Sequence, residues 1–295
     1  ERRRVYKLRL VTAPHLAEGL RRFSLKIKYD KISRRPFTNI SNEQYSRTTM
    51  KEITFIPVQT TAINEPFFTD IQRGQLSDHP EIQVMLTYFA PNFYQDNLFD
   101  KYDVTYPTRL HNAVTKRRAE YLAARYCTQQ ILKAMGYPEF QVETAKDRSP
   151  VWPEKIYGSI SHSTNCAIVF AASSDKYQLI GIDIEKEIKQ DTIDSVSASI
   201  INEAEAELLS KCPLSFIQAF TLVFSIKESL FKALYPHVKR FFDFHAAEIM
   251  EIDCIHRTVT IKLLQTLSDE YQTGCQFHGN FVLMPQQQIL TYIVG

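Results

Sequence analysis

The chain has 295 residues, 44% of them hydrophobic and 23% charged, which is ordinary for a soluble globular protein able to bury a sizeable core and excludes a disordered one. A net charge of +2 is compatible with an anionic ligand but far from the excess of a dedicated nucleic-acid binder. Five cysteines, none closer than 21 residues to the next, make neither a zinc spacing nor a disulfide framework, so reduced thiols and a cytoplasmic location are expected.

In chain order, Arg2–Arg4 reads as a solvated terminus, Tyr6–Thr12, Phe23–Tyr29 and Ile53–Val58 as strands of an antiparallel sheet, and Lys31–Thr49 as an exposed loop. Tyr88–Tyr106 is an aromatic-rich stretch expected in the core. Lys116–Leu132 repeats apolar residues at helical spacing and is stopped by Gly136-Tyr137-Pro138, with Arg117, Arg118 and Arg125 in its first turns. Val142–Pro153 reads as a loop holding Lys146, Arg148 and the packing anchor Trp152, and Cys166–Ala172 as a wholly apolar strand. The Ser161-His162 pair invites a nucleophile reading, but Gly158–His162 lacks the second glycine of the G-x-S-x-G elbow. No apolar run approaches a membrane span and no signal-peptide pattern opens the chain, so no stable membrane insertion is expected.

After a polar junction at Ser173–Tyr177 comes Gly181–Glu185, GIDIE. Alternation along a strand sends Asp183 and Glu185 to one face with Gly181, and Ile182 and Ile184 to the other. Ile200–Ser210 reads as a short acidic helix and Leu214–Leu234 as a long one. In the long helix Phe220, Val223, Phe224, Leu230, Phe231 and Leu234 form an apolar stripe, with Lys227 in its middle and Glu228 and Lys232 on its border. Two carboxylates on a strand and a third from a helix make an all-oxygen site of the kind Mg²⁺ prefers. Downstream, Tyr235–Phe244 combines a proline break with Lys239, Arg240 and three aromatics, and strands are expected at Glu248–Ile252, Thr258–Leu264, Phe281–Met284 and Ile289–Val294.

Four blocks in order, KRRAEYLAARYC at Lys116–Cys127, PVWPEKIYGSISHS at Pro150–Ser163, GIDIE at Gly181–Glu185 and FSIKESLFKA at Phe224–Ala233, resemble the signature of the 4′-phosphopantetheinyl transferases. The first block is similar to the arginine-bearing segment of the siderophore branch typified by enterobactin synthase component D, except that Ala124 stands where that branch has glycine. The resemblance implies an α+β fold of two similar α/β halves related by a pseudo-twofold, each a small antiparallel sheet with a long helix. The N-terminal half would be 1–174, the C-terminal half 175–295, with the active site in the cleft between them.

It also implies a reaction. Coenzyme A would lie across the cleft, its 3′-phosphate on Arg117 and Arg125, and its pyrophosphate near His162, one of Lys146 and Arg148, and a Mg²⁺ on Asp183, Glu185 and Glu228. A serine hydroxyl of an apo peptidyl or acyl carrier protein would attack the β-phosphorus, releasing 3′,5′-ADP. Glu228 would be the base or a metal ligand. Lys232, or Lys227 in its place, would serve the leaving phosphate. A siderophore non-ribosomal peptide synthetase is the implied client, a monomer is sufficient, and no nucleic acid is implied. Lys239 and Arg240 would meet an acidic carrier helix, or Phe241 and Phe242 simply pack. The alternatives are a fatty-acid carrier holo-synthase, a non-catalytic coenzyme A- or carrier-binding protein, and a magnesium-dependent phosphohydrolase.

Overall fold

A computed structural model describes residues 53–58 and 66–295 of the chain, all of them in the unit Thr49–Gly295. The expectations for Arg2–Arg4, Tyr6–Thr12, Phe23–Tyr29 and Lys31–Thr49 lie outside the described residues.

The strands are β1 (Ile53–Pro57), β2 (Phe68–Leu76), β3 (Gln83–Phe89), β4 (Glu143–Thr144), β5 (Pro150–Val151), β6 (Ile156–Ser163), β7 (Cys166–Ser173), β8 (Ile180–Lys186), β9 (Ala247–Asp253), β10 (Thr258–Leu263), β11 (Gln276–Met284) and β12 (Gln288–Val294). The helices are α1 (Leu98–Lys101), α2 (Thr115–Ala134), α3 (Gln190–Ile200), α4 (Glu203–Lys211) and α5 (Phe216–Val238). Two antiparallel five-stranded sheets result, ordered β1-β2-β3-β7-β6 and β8-β12-β11-β10-β9, beside the two-stranded β4-β5 hairpin.

Three apolar clusters set the layers. Leu122, Cys127 and Ile131 of α2 pack on Phe68, Ile71 and Phe89 of the first sheet. Phe220, Leu230 and Leu234 of α5 pack on Ile261, Ile289 and Ile293 of the second. Between the sheets, Leu86, Ile168 and Phe170 meet Ile182, Ile184 and Tyr292. The wholly apolar sequence of β7 now has a cause, because alternate residues enter the first and third clusters and both faces are buried.

The amphipathic alternation of β8 follows from the same layering: Ile182 and Ile184 face the opposing sheet, while the Gly181 face lies under α5. A Cβ on Gly181 would stand 2.0 Å from the Ser229 carbonyl oxygen and 2.6 Å from the Ala233 nitrogen, so glycine is what lets α5 approach the strand carrying the acids. Both α4 and α5 start with capping boxes, Asn202 with Glu205 and Ser215 with Gln218.

Some elements depart from expectation. α5 does not break at Pro236 but continues to Val238 and ends at Lys239, which has φ 52°. Pro236 has no N–H to give the Lys232 carbonyl, and the helix ends within two residues of it. The aromatic stretch Tyr88–Tyr106, by contrast, packs in the core as expected: it runs from the end of β3 through short turns and α1, burying Phe89, Phe99 and Tyr102 and stacking Phe99 on Tyr106 at 4.4 Å. Trp152 packs over Gly158 as an anchor, its ring atoms 2.5 Å from where a Cβ would be.

Candidate functional site

The site is assembled at a seam between the sheets. β6 and β8 are each at the edge of a sheet, and no backbone ladder joins them. Instead Ser159, Ser161 and Ser163, alternate residues of β6, accept hydrogen bonds from the backbone N–H groups of Ile182, Ile184 and Lys186 at 3.1, 3.2 and 3.2 Å. The pairs advance together in sequence, so the strands run parallel. The serines of G-S-I-S-H-S thus satisfy the outward N–H groups of an edge strand, which explains their period of two without a nucleophile.

On one side of the seam is Asp183, which is buried. Its Oδ1 accepts from Lys232 Nζ at 2.7 Å and Ser161 Oγ at 2.8 Å, and its Oδ2 from Ser225 Oγ at 2.9 Å. Burial and the Asp183 charge raise Glu185 well above the usual carboxylate range, Lys232 opposing the shift. Burial, then Asp183, pushes Glu228 up to about 7. The strand acids and the helix acid therefore feel one another, as their faces on β8 and α5 lead one to expect.

On the other side lies a cationic cluster. His162, next to Ser161 on β6, contacts the Arg117 guanidinium, and both lean on the buried Glu120, whose Oε2 is 3.5 Å from His162 Nδ1 and 3.5 Å from Arg117. Burial and the Arg117 charge hold His162 down to about 3, so the imidazole is neutral at physiological pH. Arg125 and Arg109 share two partners: both donate to Thr144 Oγ1, at 3.0 and 2.5 Å, and both lie over the Tyr121 ring, 4.8 and 5.1 Å from its centroid. The Arg125 Nε is buried without a partner, and among the described residues neither arginine makes an ion pair. Burial, joined by the charges of Arg109 and Arg117, lowers the Arg125 pKa. Arg109 and Arg125, like charges side by side with no carboxylate paired to either among the described residues, make an anion site, and planar guanidinium forks suit phosphate.

Two of these residues, Arg109 and Glu120, were absent from the sequence reading. Arg109 precedes α2 and shows no helical neighbour; the signal for Glu120 was its i,i+3 spacing from Arg117. Arg118 is taken up elsewhere, with both oxygens of Asp96 at 3.1 and 3.0 Å and the His111 and Ala113 carbonyls. Lys146 and Arg148 are both exposed at the tip of the β4–β5 hairpin, where the intervening Asp147 accepts from Tyr235 of α5 at 3.1 Å. A cavity of about 360 Å³ opens nearby, lined by Lys116, Thr164, Asn165, Lys186 and Gln288.

Lys227 does not join the site. Its ammonium is buried, donating to Glu205 at 2.7 and 2.9 Å and to the Ile200 and Phe244 carbonyls at 2.8 and 3.0 Å. Of the two lysines expected near the chemistry, Lys232 reaches Asp183, whereas Lys227 turns toward α4 and Glu205. Phe242 is buried against Phe231, whereas Phe241 is 47% exposed, so the Tyr235–Phe244 segment is divided between packing and surface.

Among the described residues no three His, Cys, Asp or Glu side chains converge as a metal-holding group. Both Asp183 oxygens are engaged by Lys232, Ser161 and Ser225. The donor set nonetheless fits a hard divalent cation in kind, being three carboxylates, two of them raised first by burial and then by the Asp183 charge.

Comparison with known proteins gives a consistent answer. The sequence profile of the 4′-phosphopantetheinyl transferase N-terminal domain matches residues 106–172, and that of the 4′-phosphopantetheinyl transferase superfamily matches residues 179–289. The chain is 41% identical over 125 residues to enterobactin synthase component D of Escherichia coli K12, covering 42% of this chain and 58% of the relative. It is 36% identical over 148 residues to the protein of that name from Salmonella typhi, covering 50% and 61%. With the 4′-phosphopantetheinyl transferase Npt of Nocardia iowensis it shares 30% identity over 139 residues, covering 46% and 60%. The chain thus spans about three-fifths of the length of these relatives.

Proposed function

The chain belongs to the 4′-phosphopantetheinyl transferase superfamily, and on that premise we propose that it moves the 4′-phosphopantetheine arm of coenzyme A onto a serine of an apo carrier protein, in siderophore non-ribosomal peptide synthesis. The observation that carries this reading is the pair Ser161-His162: consecutive residues of β6 that bond to Lys232 and Asp183 on one side and to Arg117 on the other. A ligand with a phosphate at one end and a pyrophosphate at the other would span the two clusters.

In this reading the 3′-phosphate of coenzyme A meets Arg117, Arg125 and Arg109, and the unpartnered Arg125 Nε gains an acceptor. Neutral His162, with its one proton on the Nδ1 that faces Glu120, accepts from Arg117 through Nε2 and so orients that guanidinium for the phosphate. The carrier serine oxygen attacks the β-phosphorus. The bond from that phosphorus to the bridging oxygen breaks, and 3′,5′-ADP leaves with the electron pair. Glu228, raised to about 7, is suited to accept the serine proton. Lys232 is placed to swing from Asp183 to the leaving phosphate and offset its charge. Asp183, Glu185 and Glu228 would hold Mg²⁺, which when bound neutralises charge on the pyrophosphate. A Glu228 bound to metal is a weaker base, and its two roles compete.

The two sheets with their helices support reading the chain as two α/β halves with the site between, 1–174 and 175–295. One chain supplies every group named, so a monomer suffices. No described helix is long and apolar enough to cross a membrane. The test is intact-mass analysis of apo peptidyl-carrier and apo fatty-acid-carrier domains incubated with the protein, coenzyme A and Mg²⁺, beside a metal-free control. A Mg²⁺-dependent gain of one phosphopantetheine on the peptidyl carrier is expected. No gain on either carrier overturns the reading.

A further inference from the structure

Behind Asp183, on the side away from Lys232, four hydroxyl-bearing or carboxylate side chains from three elements form a continuous line. Ser225 and Ser229 lie one turn apart on α5, and Thr291 is opposite them on β12, in register with Asp183 on β8. All three hydroxyl residues are fully buried. Ser225 Oγ is 2.9 Å from Asp183 Oδ2, Thr291 Oγ1 is 2.9 Å from Ser225 Oγ, and Ser229 Oγ is 2.7 Å from Thr291 Oγ1 and 3.2 Å from the Thr291 carbonyl.

The proton positions in this line follow from chemistry. Both Asp183 oxygens accept, Oδ1 from Lys232 Nζ and Ser161 Oγ and Oδ2 from Ser225 Oγ. Ser225 must then spend its single proton on Asp183, so Thr291 must donate to Ser225, and Ser229 to Thr291. On the opposite oxygen the count also closes: Ser161 Oγ accepts from the Ile184 N–H and from Lys232, and gives its one proton to Asp183 Oδ1. Every hydroxyl dipole in the line points the same way, toward the carboxylate, and aligned hydrogen bonds polarise one another in a dry interior. A framework alone does not require this polarity, and apolar residues would fill the same α5–β12 interface at less desolvation cost.

We propose that Ser225 and Thr291, backed by Ser229, are positioning residues that fix the plane of the Asp183 carboxylate, so that it is presented ready to the divalent cation and to Lys232. The inference rests on the functional reading above and extends it to residues that touch neither substrate nor ion. Loss of such outer hydrogen-bond partners typically lowers metal affinity by about 10–100-fold.

The experiment compares wild type with Ser225→Ala, Thr291→Val and the conservative Thr291→Ser, which keeps the hydroxyl. Three quantities are read: Mn²⁺ binding to the protein without coenzyme A, by electron paramagnetic resonance; the Mg²⁺ concentration for half-maximal transfer; and KM for coenzyme A at saturating Mg²⁺. Ser225→Ala and Thr291→Val are expected to weaken Mn²⁺ binding and raise the Mg²⁺ requirement by about 10–100-fold. Thr291→Ser should stay within about threefold of wild type, and KM for coenzyme A should hold in all three variants. A working wild type with Ser225→Ala unchanged in both metal readouts overturns this inference alone. Equal losses in Thr291→Ser and Thr291→Val also overturn it, since packing and not the hydroxyl would then matter. A wild type that does not transfer overturns the functional reading, and this inference with it.

Discussion

Replacing Lys227 by methionine keeps most of the side-chain stem and removes the charge. The ammonium and Glu205, 2% and 0% exposed, meet at 2.7 Å. The same carboxylate accepts the Asn202 N–H of the α4 capping box at 2.9 Å and the Ile249 N–H of β9 at 2.8 Å. One buried ion pair therefore ties α5 to the start of α4 and to the second sheet. Removing one partner of such a pair costs about 3–5 kcal/mol, because the other charge stays buried without its counter-ion. At about 2–4 °C per kcal/mol for a domain of this size, Lys227→Met should melt about 6–20 °C below wild type. Circular dichroism melts give the shift, and transfer assayed well below the lowered midpoint gives the second half of the test. Folded Lys227→Met should retain turnover within about threefold, since its ammonium faces α4 and not Asp183. A variant with an unchanged melting temperature and abolished turnover would refute the reasoning and return Lys227 to the chemistry.

The remaining predictions concern the site. Asp183→Ala should abolish Mg²⁺-dependent transfer in a protein that still folds; normal turnover would sink the metal assignment. Alanine at Arg109, Arg117 or Arg125 should raise KM for coenzyme A by tenfold or more but leave 3′-dephospho-coenzyme A nearly unaffected, corresponding to about 1.4 kcal/mol or more of phosphate contact for each. Equal losses for both donors would move the 3′-phosphate elsewhere. Gly181→Ala puts a methyl 2.0 Å from the Ser229 carbonyl, and it should cost about 3 kcal/mol or more in urea unfolding, because the obstructing atoms are backbone. Glu228, pushed to about 7, is protonated below that pH and must lose its proton to bind a cation, so the half-saturating Mg²⁺ concentration should fall as pH rises through about 7.

What could be read in advance was what short-range periodicity encodes. The alternation of Gly181–Glu185 and the apolar stripe of α5 placed Asp183, Glu185, Glu228 and Lys232 on surfaces that the fold brings together. The placement of Lys227 was not legible because its partner, Glu205, lies 22 residues away on another helix, and no local pattern distinguishes a buried ion pair from a functional ammonium. β2 escaped notice because Asp70, Gln72 and Arg73, partly or wholly exposed, interrupt its apolar alternation, and β3 because both of its faces are buried and leave no alternation to read. α3, QDTIDSVSASI, has low intrinsic helix propensity and is held by packing of Ile193 and Ile200. Arg109 became visible only through Thr144, 35 residues on, which it shares with Arg125.

The serine seam has a further consequence, for solubility. Open sheet edges invite pairing with other chains, and β6 and β8 would each offer one. Turned toward each other, with three hydroxyls closing the outward N–H groups of β8, they are withdrawn from strand addition. At the far end of the second sheet, β9 is left as an edge and carries Glu248, Glu251 and Asp253, charges that discourage another strand from docking there. The side chains that bring the acids to the arginines thus also protect the chain from aggregation, and a serine-to-valine change in the seam would put both at risk.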